Sequence, residues 1–136
     1  MYKFKSAVIA ALVMNTVAAT ASAKSLRDEP TIDRPMLSVA MAIEISDKCP
    51  SISARTLKGL NYLWGLKSAA KRLGYSDAEI KSSVESDAEK ARMRDLGEAY
   101  MRSKGLDPAS VADLCTLGSN EIVANTLTGS FLRIRK

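Results

Sequence analysis

The chain has 136 residues, of which 20 are basic and 15 are acidic, and it contains no histidine. The lack of histidine excludes a Ser-His-Asp triad, a histidine-ligated metal site and acid–base catalysis by imidazole. With 46% hydrophobic and 26% charged residues, the composition is typical of one globular domain and excludes a disordered tail or a multi-span membrane protein.

The first 23 residues have the pattern of a secretory signal peptide. Lys3 and Lys5 form a cationic start, residues 7–19 are largely apolar, and Ala21-Ser22-Ala23 is the small-residue motif that a signal peptidase accepts. The apolar run is shorter than the roughly 20 residues that span a bilayer. We therefore predict cleavage after Ala23 and export, either to the periplasm or as a secreted protein. Cleavage would leave 113 residues and lower the formal charge from +5 to +3.

The mature chain is expected to begin with an exposed lead-in, residues 24–34, followed by a single helical domain over residues 35–136. The first helix is predicted from about Pro35 to Lys48, since Asp33 is a suitable cap and proline fits a first helical turn. Apolar side chains occur on nearly every face of this segment, which indicates a central, buried helix.

The second helix is expected to follow a sharp break in the chain. Cys49-Pro50 ends the first helix, because a residue before proline disfavours the α conformation. Ser51 or Ser53 is the expected cap of the second helix, which continues to about Leu73. Apolar residues recur in it at three- and four-residue steps and predict a buried stripe. That stripe comprises Leu60, Leu63, Trp64, Ala70 and Leu73.

The tetrapeptide S-D-A-E occurs twice, at residues 76–79 and 86–89. Each copy is predicted to be a capping box, in which the serine oxygen and the glutamate satisfy the first free amides of a helix. Helices are therefore expected at about 77–85 and 87–104. The same carboxylates would suit a cation site, but the glycine-rich loop of calcium sites is absent, which favours capping.

The last third of the chain is predicted to hold two more helices and a short tail. Asp107 and Pro108 begin a helix that is expected to stop at Gly118, and Ser119 begins the next one. The tail, residues 129–136, alternates apolar with basic residues and is either a helix continuation or a docked extended strand. The fold class predicted is thus all-α, a compact bundle of five to six helices.

Cys49 and Cys115 are the two cysteines of the chain. In an exported protein an even count favours pairing, and two cysteines allow one intramolecular connectivity. A redox-active pair is the alternative, but the motif C-x-x-C is absent. We therefore predict a structural disulfide between Cys49 and Cys115.

Glu44 and Asp47 are the candidate catalytic residues. Glu44 interrupts the most apolar helix, and a buried carboxyl with a raised pKa can act as a general acid, so this pair would suit a histidine-free hydrolase acting on cell-wall glycan. An ion pair of Glu44 with an arginine, such as Arg55 or Arg92, explains the residue equally well. The structural role is the stronger of the two interpretations.

The basic residues point to at most one binding surface. On the longer helices the cations are mixed with acids or lie on different faces, which is typical of a solvated surface and not of a nucleic-acid site. In the tail, Arg133, Arg135 and Lys136 alternate with apolar residues, a pattern suited to contact with an anionic membrane surface. The sequence predicts no cofactor, no metal and no small-molecule ligand.

Four segments together resemble a family of small exported alphaproteobacterial proteins that is known as a domain of unknown function. They read C-P-S-I-S-A-R (49–55), L-G-Y-S-D-A-E-I (73–80), S-D-A-E-K-A-R-M-R (86–94) and L-C-x-L-G-x-x-E-I (114–122). The resemblance implies an all-helical secreted domain with two cysteines at matching positions, and it supplies no catalytic residues. Members tend to be encoded near genes for respiratory complex I, which implies a link to a respiratory membrane complex.

We therefore expect a non-enzymatic accessory or protein-interaction module, whose partner is another protein. The hydrolase that uses Glu44 and Asp47 is the alternative.

Overall fold

The structure is a computed structural model that describes residues 24–136. The predicted signal peptide lies outside the described residues. Within them the chain forms six α-helices and one two-stranded sheet, which confirms the predicted all-α bundle. The elements are α1 (Pro30–Lys48), β1 (Ile52–Ala54), α2 (Thr56–Arg72), α3 (Asp77–Glu85), α4 (Asp87–Ser103), α5 (Val111–Val123), α6 (Leu127–Ser130) and β2 (Leu132–Ile134).

Helix α1 is the centre of the domain, because it packs against α2, α4, α5, α6 and β1. It begins at Pro30, five residues earlier than predicted, since that proline occupies the first turn, where its missing N–H has no helical partner. Pro35 lies inside the helix and removes one further N–H from the hydrogen-bond ladder. The predicted lead-in is therefore wrong for its last five residues, of which Ile32 is buried in the core.

The main core lies between α1, α5 and the two strands. Gly118 stands in the middle of α5, and a Cβ at this position would lie 2.6 Å from side-chain carbons of both Ile45 and Ile52. The expected helix end at Gly118 is thus wrong, since the glycine serves a close approach of α5 to α1 and β1. Helix α5 instead begins after Ser110, whose side chain accepts a hydrogen bond from the Asp113 amide.

The two short strands pair in an antiparallel ladder, with Ile52 opposite Ile134 and Ser53 opposite Arg133. The tail is thus a docked strand, one of its two predicted conformations. Because residues 52–54 belong to this ladder, α2 begins at Thr56 and not after Ser51 or Ser53.

The disulfide between Cys49 and Cys115 is present, with the two Cα atoms 5.3 Å apart. It joins the end of α1 to the middle of α5, and Cys49 is almost fully buried. The predicted pairing is therefore confirmed.

The starts of α3 and α4 are confirmed at Asp77 and Asp87. At Ser76 the capping box is complete, because its hydroxyl accepts from the Glu79 amide and its own amide donates to the Glu79 carboxylate. At Ser86 the hydroxyl accepts from the Glu89 amide at 3.3 Å, while the Glu89 carboxylate binds two arginines. The second capping box is therefore only half formed.

Candidate functional site

Three apolar side chains of α2 lie on the surface. Leu57 is 79% exposed, Leu60 44% and Trp64 67%. Residues at these spacings share one helix face, so they form a continuous feature, here named the α2 stripe (Leu57, Leu60 and Trp64). The prediction that Leu60, Trp64 and Leu73 are buried is wrong, since the opposite face of α2 enters the core through Leu66 and Ala70.

The surroundings of the α2 stripe are basic. Helix α2 contains four basic residues, Lys58, Lys67, Lys71 and Arg72, and no acidic one. Lys67 and Lys71 form salt bridges with Asp77 at the start of α3, at 3.0 and 3.1 Å. Hydrogen bonds from these two lysines lower the pKa of the Asp77 carboxyl. Lys58, next to Leu57, has no acidic partner within residues 24–136.

A second surface is formed by the strands and the residues that flank them. It is here named the basic ribbon and comprises Ser53, Arg55, Arg133, Arg135 and Lys136. Arg133 Nε donates to Ser53 Oγ at 3.2 Å, and Arg55 Nε donates to the Leu132 carbonyl at 3.2 Å. A shallow cavity of about 430 Å³ is lined by Ser53, Ile134 and the last three basic residues of the chain.

The basic ribbon brings together the three tail residues singled out in the sequence and adds Arg55 to them. Arg55 lies far from the tail in the chain, and only strand pairing places it there. None of the four cations of the basic ribbon forms a salt bridge with a residue of the described part of the chain.

The candidate catalytic residues lie on the outer side of α1. The Glu44 side chain is 44% exposed and forms a salt bridge with Lys48, one turn further along the helix. Neither of the expected arginines is its partner, because Arg92 binds Asp33 and Glu89 instead. Asp47 is exposed. The desolvated position that a general acid at Glu44 would require is not formed here, and hydrolysis stays a prediction.

A buried carboxylate that sequence reasoning missed is Glu121, which is 5% exposed. The Tyr100 hydroxyl donates to its Oε1 at 2.7 Å, and the Thr126 hydroxyl donates to its Oε2. The bond to Glu121, aided by burial, raises the pKa of Tyr100 to about 12. Glu121 lies on the same helix face as the apolar residues Leu114 and Leu117, and this position is the signal that could have pointed to the cluster. The two hydroxyl donors satisfy both carboxylate oxygens.

Within residues 24–136 no group of three or more acidic or cysteine side chains is placed to hold a metal ion. Among the helices described here, none is long and apolar enough to cross a membrane.

Comparison with known protein families shows a match over most of the chain. Residues 24–133 match the model of a family of unknown function, DUF5333. Neither the curated proteins nor the solved structures contain a match. The match covers nearly all of the described chain, including both cysteines, the α2 stripe and most of the basic ribbon.

Proposed function

The chain belongs to the family of unknown function DUF5333, and from this membership and the geometry above we propose that it is an exported, non-enzymatic accessory protein. It acts by docking the α2 stripe onto a partner protein. The observation that carries this proposal is the exposure of Leu57 and Trp64, at 79% and 67%, on a helix whose other face is in the core. Contiguous exposed apolar side chains mark interaction sites.

The charge around the α2 stripe defines the chemistry of the partner. Lys58, next to Leu57, forms no salt bridge in the described part of the chain, whereas the other two lysines of α2 already pair with Asp77. The complementary surface is therefore an apolar patch with an acidic side chain placed to meet Lys58. Trp64 is the expected anchor, because tryptophan is enriched among the residues that dominate binding energy. A subunit of a respiratory membrane complex is the candidate partner that the family resemblance implies.

Export is supported by the sequence pattern of the first 23 residues and by the disulfide. Disulfides persist in the periplasm and outside the cell, whereas cytosolic thiols are kept reduced. A buried cystine that joins α1 to α5 therefore fits an oxidising compartment.

The docking proposal is tested by placing a photo-crosslinking residue at position 64 or at position 123 in intact cells. Val123 is 87% exposed on another helix and serves as the matched control. We expect a discrete adduct from position 64 and none from position 123. The captured protein is then purified and titrated with the wild-type chain and with two double variants.

The first double variant, Leu57→Ser with Trp64→Ser, removes the stripe, and the second, Val111→Ser with Val123→Ser, removes exposed valines of α5. Since truncating a central anchor costs about 2 kcal/mol or more, the first variant is expected to weaken binding at least about tenfold and the second to leave it unchanged. Equal effects of the two variants, or an adduct that contains only a second copy of the chain, would contradict the proposal.

The hydrolase alternative has a separate test. Zymography on peptidoglycan with the wild-type protein and with Glu44→Gln measures it directly. Turnover that is lost in Glu44→Gln would replace the accessory function with an enzymatic one.

A further inference from the structure

The basic ribbon holds four cations, and none of them forms a salt bridge with a residue in the described part of the chain. Its residues alternate along the two strands, so Ser53 and Arg133 lie opposite each other and point away from the core. Arg135 follows two residues after Arg133, and its amide continues the ladder by donating to the Ser51 carbonyl at 2.8 Å. Successive side chains of a strand point to opposite faces, which places Arg133 and Arg135 on the same outward face.

Arg55 completes this face from the other strand. It follows two residues after Ser53, and its amide donates to the Phe131 carbonyl at 2.7 Å. Neighbouring strands are about 4.8 Å apart, and alternate residues on a strand are about 7 Å apart. Arg133 is thus about 8 Å from Arg55 and about 7 Å from Arg135, which is about one Debye length at physiological salt. Arg55 and Arg135 lie at the two ends of the face, roughly 14 Å apart.

The inward side chains of the same two strands are packed in the core, and this packing holds the outward face in position. Ile52 and Leu132 are fully buried against α1 and α5, so the strands cannot turn over. Ile134 pairs with Ile52 and therefore lies on this inward face, at its open end, where it is half exposed. A fixed face of arginines that form no salt bridge with a described residue is suited to the surface of an anionic bilayer.

From these observations we propose that the basic ribbon is a binding surface for anionic phospholipid headgroups, which holds the protein against a membrane. The outward face of the ribbon lies flat on the bilayer, with Arg55, Arg133 and Arg135 at the headgroup phosphates. The inference is independent of the docking proposal, because it uses a different set of residues.

The test is sedimentation with vesicles, using protein that has been purified after export from cells expressing the full chain. Vesicles of equal parts phosphatidylglycerol and phosphatidylcholine are compared with vesicles of phosphatidylcholine alone. We expect binding to the anionic vesicles only, and weaker binding as salt is raised, since counterions screen the surface.

Two triple variants separate the ribbon from overall charge. Arg133→Gln, Arg135→Gln and Lys136→Gln remove ribbon cations, while Lys81→Gln, Lys90→Gln and Arg94→Gln remove three from α3 and α4. Both lower the charge of the mature chain from +3 to zero. Each basic side chain at an anionic surface strengthens binding roughly fivefold, so the ribbon variant is expected to bind about a hundredfold more weakly than wild type. The α3 and α4 variant retains most of the binding, and an equal loss in both would overturn the proposal.

Two further measurements distinguish a bilayer from free phosphate as the ligand, and the basic ribbon from the α2 stripe as the membrane contact. Inorganic phosphate that displaces the protein from vesicles better than chloride at equal ionic strength would show a free-phosphate site and overturn the assignment to a bilayer. The variant Leu57→Ser with Trp64→Ser is expected to keep full vesicle binding. If this variant loses vesicle binding while the ribbon variant keeps it, the α2 stripe is the membrane contact. That result would overturn both the lipid-binding role of the basic ribbon and the protein-docking role of the α2 stripe.

Discussion

At the scale of single residues, the hydrogen bond between Tyr100 and Glu121 makes one proton of the native state unusually hard to remove. The ordinary pKa of tyrosine is 10.0, and the bond to the Glu121 carboxylate raises that of Tyr100 to about 12. A raised native pKa gives stability that is complete below pH 10 and is lost as the pH rises through about 12. The native state is therefore expected to lose this contribution between those two values.

The change that tests this expectation is Tyr100→Phe, which keeps the ring and removes the proton. In an alkaline titration followed by the ultraviolet absorbance of phenolate, the wild type should show one tyrosine titrating near pH 12 that the variant lacks. Tyr62→Phe is the control. It keeps the aromatic ring that packs edge-on against Phe131, and it should still show the tyrosine that titrates near pH 12. A late-titrating tyrosine that persists in Tyr100→Phe would contradict the assignment.

Glycine shows how far local sequence rules reach at this scale. Gly74 and Gly105 have φ values of 99° and 73° and follow the ends of α2 and α4, because a residue without a Cβ adopts this conformation easily. Gly118 was expected to do the same and instead lies inside α5, where Ile45 and Ile52 leave no room for a side chain. The first role follows from neighbouring residues, whereas the second depends on elements that are distant in the chain.

At the scale of elements, a cluster of charges joins a short 3₁₀ turn, Leu26–Asp28, to α1 and α4. Arg92 on α4 contacts Glu89 on its own helix, with Nε at 2.9 Å from Oε2, and contacts Asp33 on α1. Arg27 binds the other oxygen of Glu89. The side chains are partly buried, with Arg92 25%, Asp33 19% and Glu89 14% exposed. Arg92 therefore neutralises two carboxylates that are mostly removed from water.

Replacing Arg92 with methionine is expected to lower the free energy of unfolding by about 1 to 2 kcal/mol. The aliphatic stem remains, but two carboxylates lose a shared partner, and the loss is smaller than for a fully buried pair because some water reaches them. Arg102→Met is the matched control on the same helix, since its pair with Glu98 is exposed and such pairs contribute at most about 0.5 kcal/mol. Urea unfolding of both variants measures the difference, and equal losses would refute a structural role of the cluster.

This cluster also explains which parts of the two S-D-A-E motifs were predictable. The serine caps at Ser76 and Ser86 both formed, because they depend on residues within one turn. The return bond from Glu79 formed as well, but Glu89 is drawn to Arg27 and Arg92, which arrive from outside the motif. Capping boxes are local, while the competition for a carboxylate is decided by tertiary structure.

Helix α2 shows a second limit of pattern reading. Its apolar residues occur on two sides, so periodicity identifies an amphipathic helix without telling which side faces the core. The structure buries Leu66 and Ala70 and exposes Leu57 and Trp64. The candidate docking surface was therefore visible in the sequence as apolar residues but was assigned to the interior.

At the scale of the whole molecule, the C-terminal part of the chain is attached at two places to the segment that runs from the end of α1 into β1. Cys115 is bonded to Cys49, and β2 pairs with β1 only a few residues further along from Cys49. The disulfide was predictable from the number of cysteines. The strand pairing was left open, because an alternating pattern in six residues of the tail does not indicate which other segment they pair with. The basic ribbon exists only through that second attachment, which is why Arg55 was not recognised as part of it.

The disulfide is expected to supply a large part of the stability of the domain. Cys49 and Cys115 are 66 residues apart in the chain, and closing a loop of this size stabilises the folded state by about 4 kcal/mol in the chain-entropy model. Small domains have a total of roughly 5 to 15 kcal/mol, so the double variant Cys49→Ala with Cys115→Ala should unfold at much lower urea. The wild type in reductant serves as control and should match the variant, and thiol labelling of denatured, unreduced protein should find no free cysteine. A variant as stable as the oxidised wild type would show that core packing alone, and not the disulfide, holds α5 against α1.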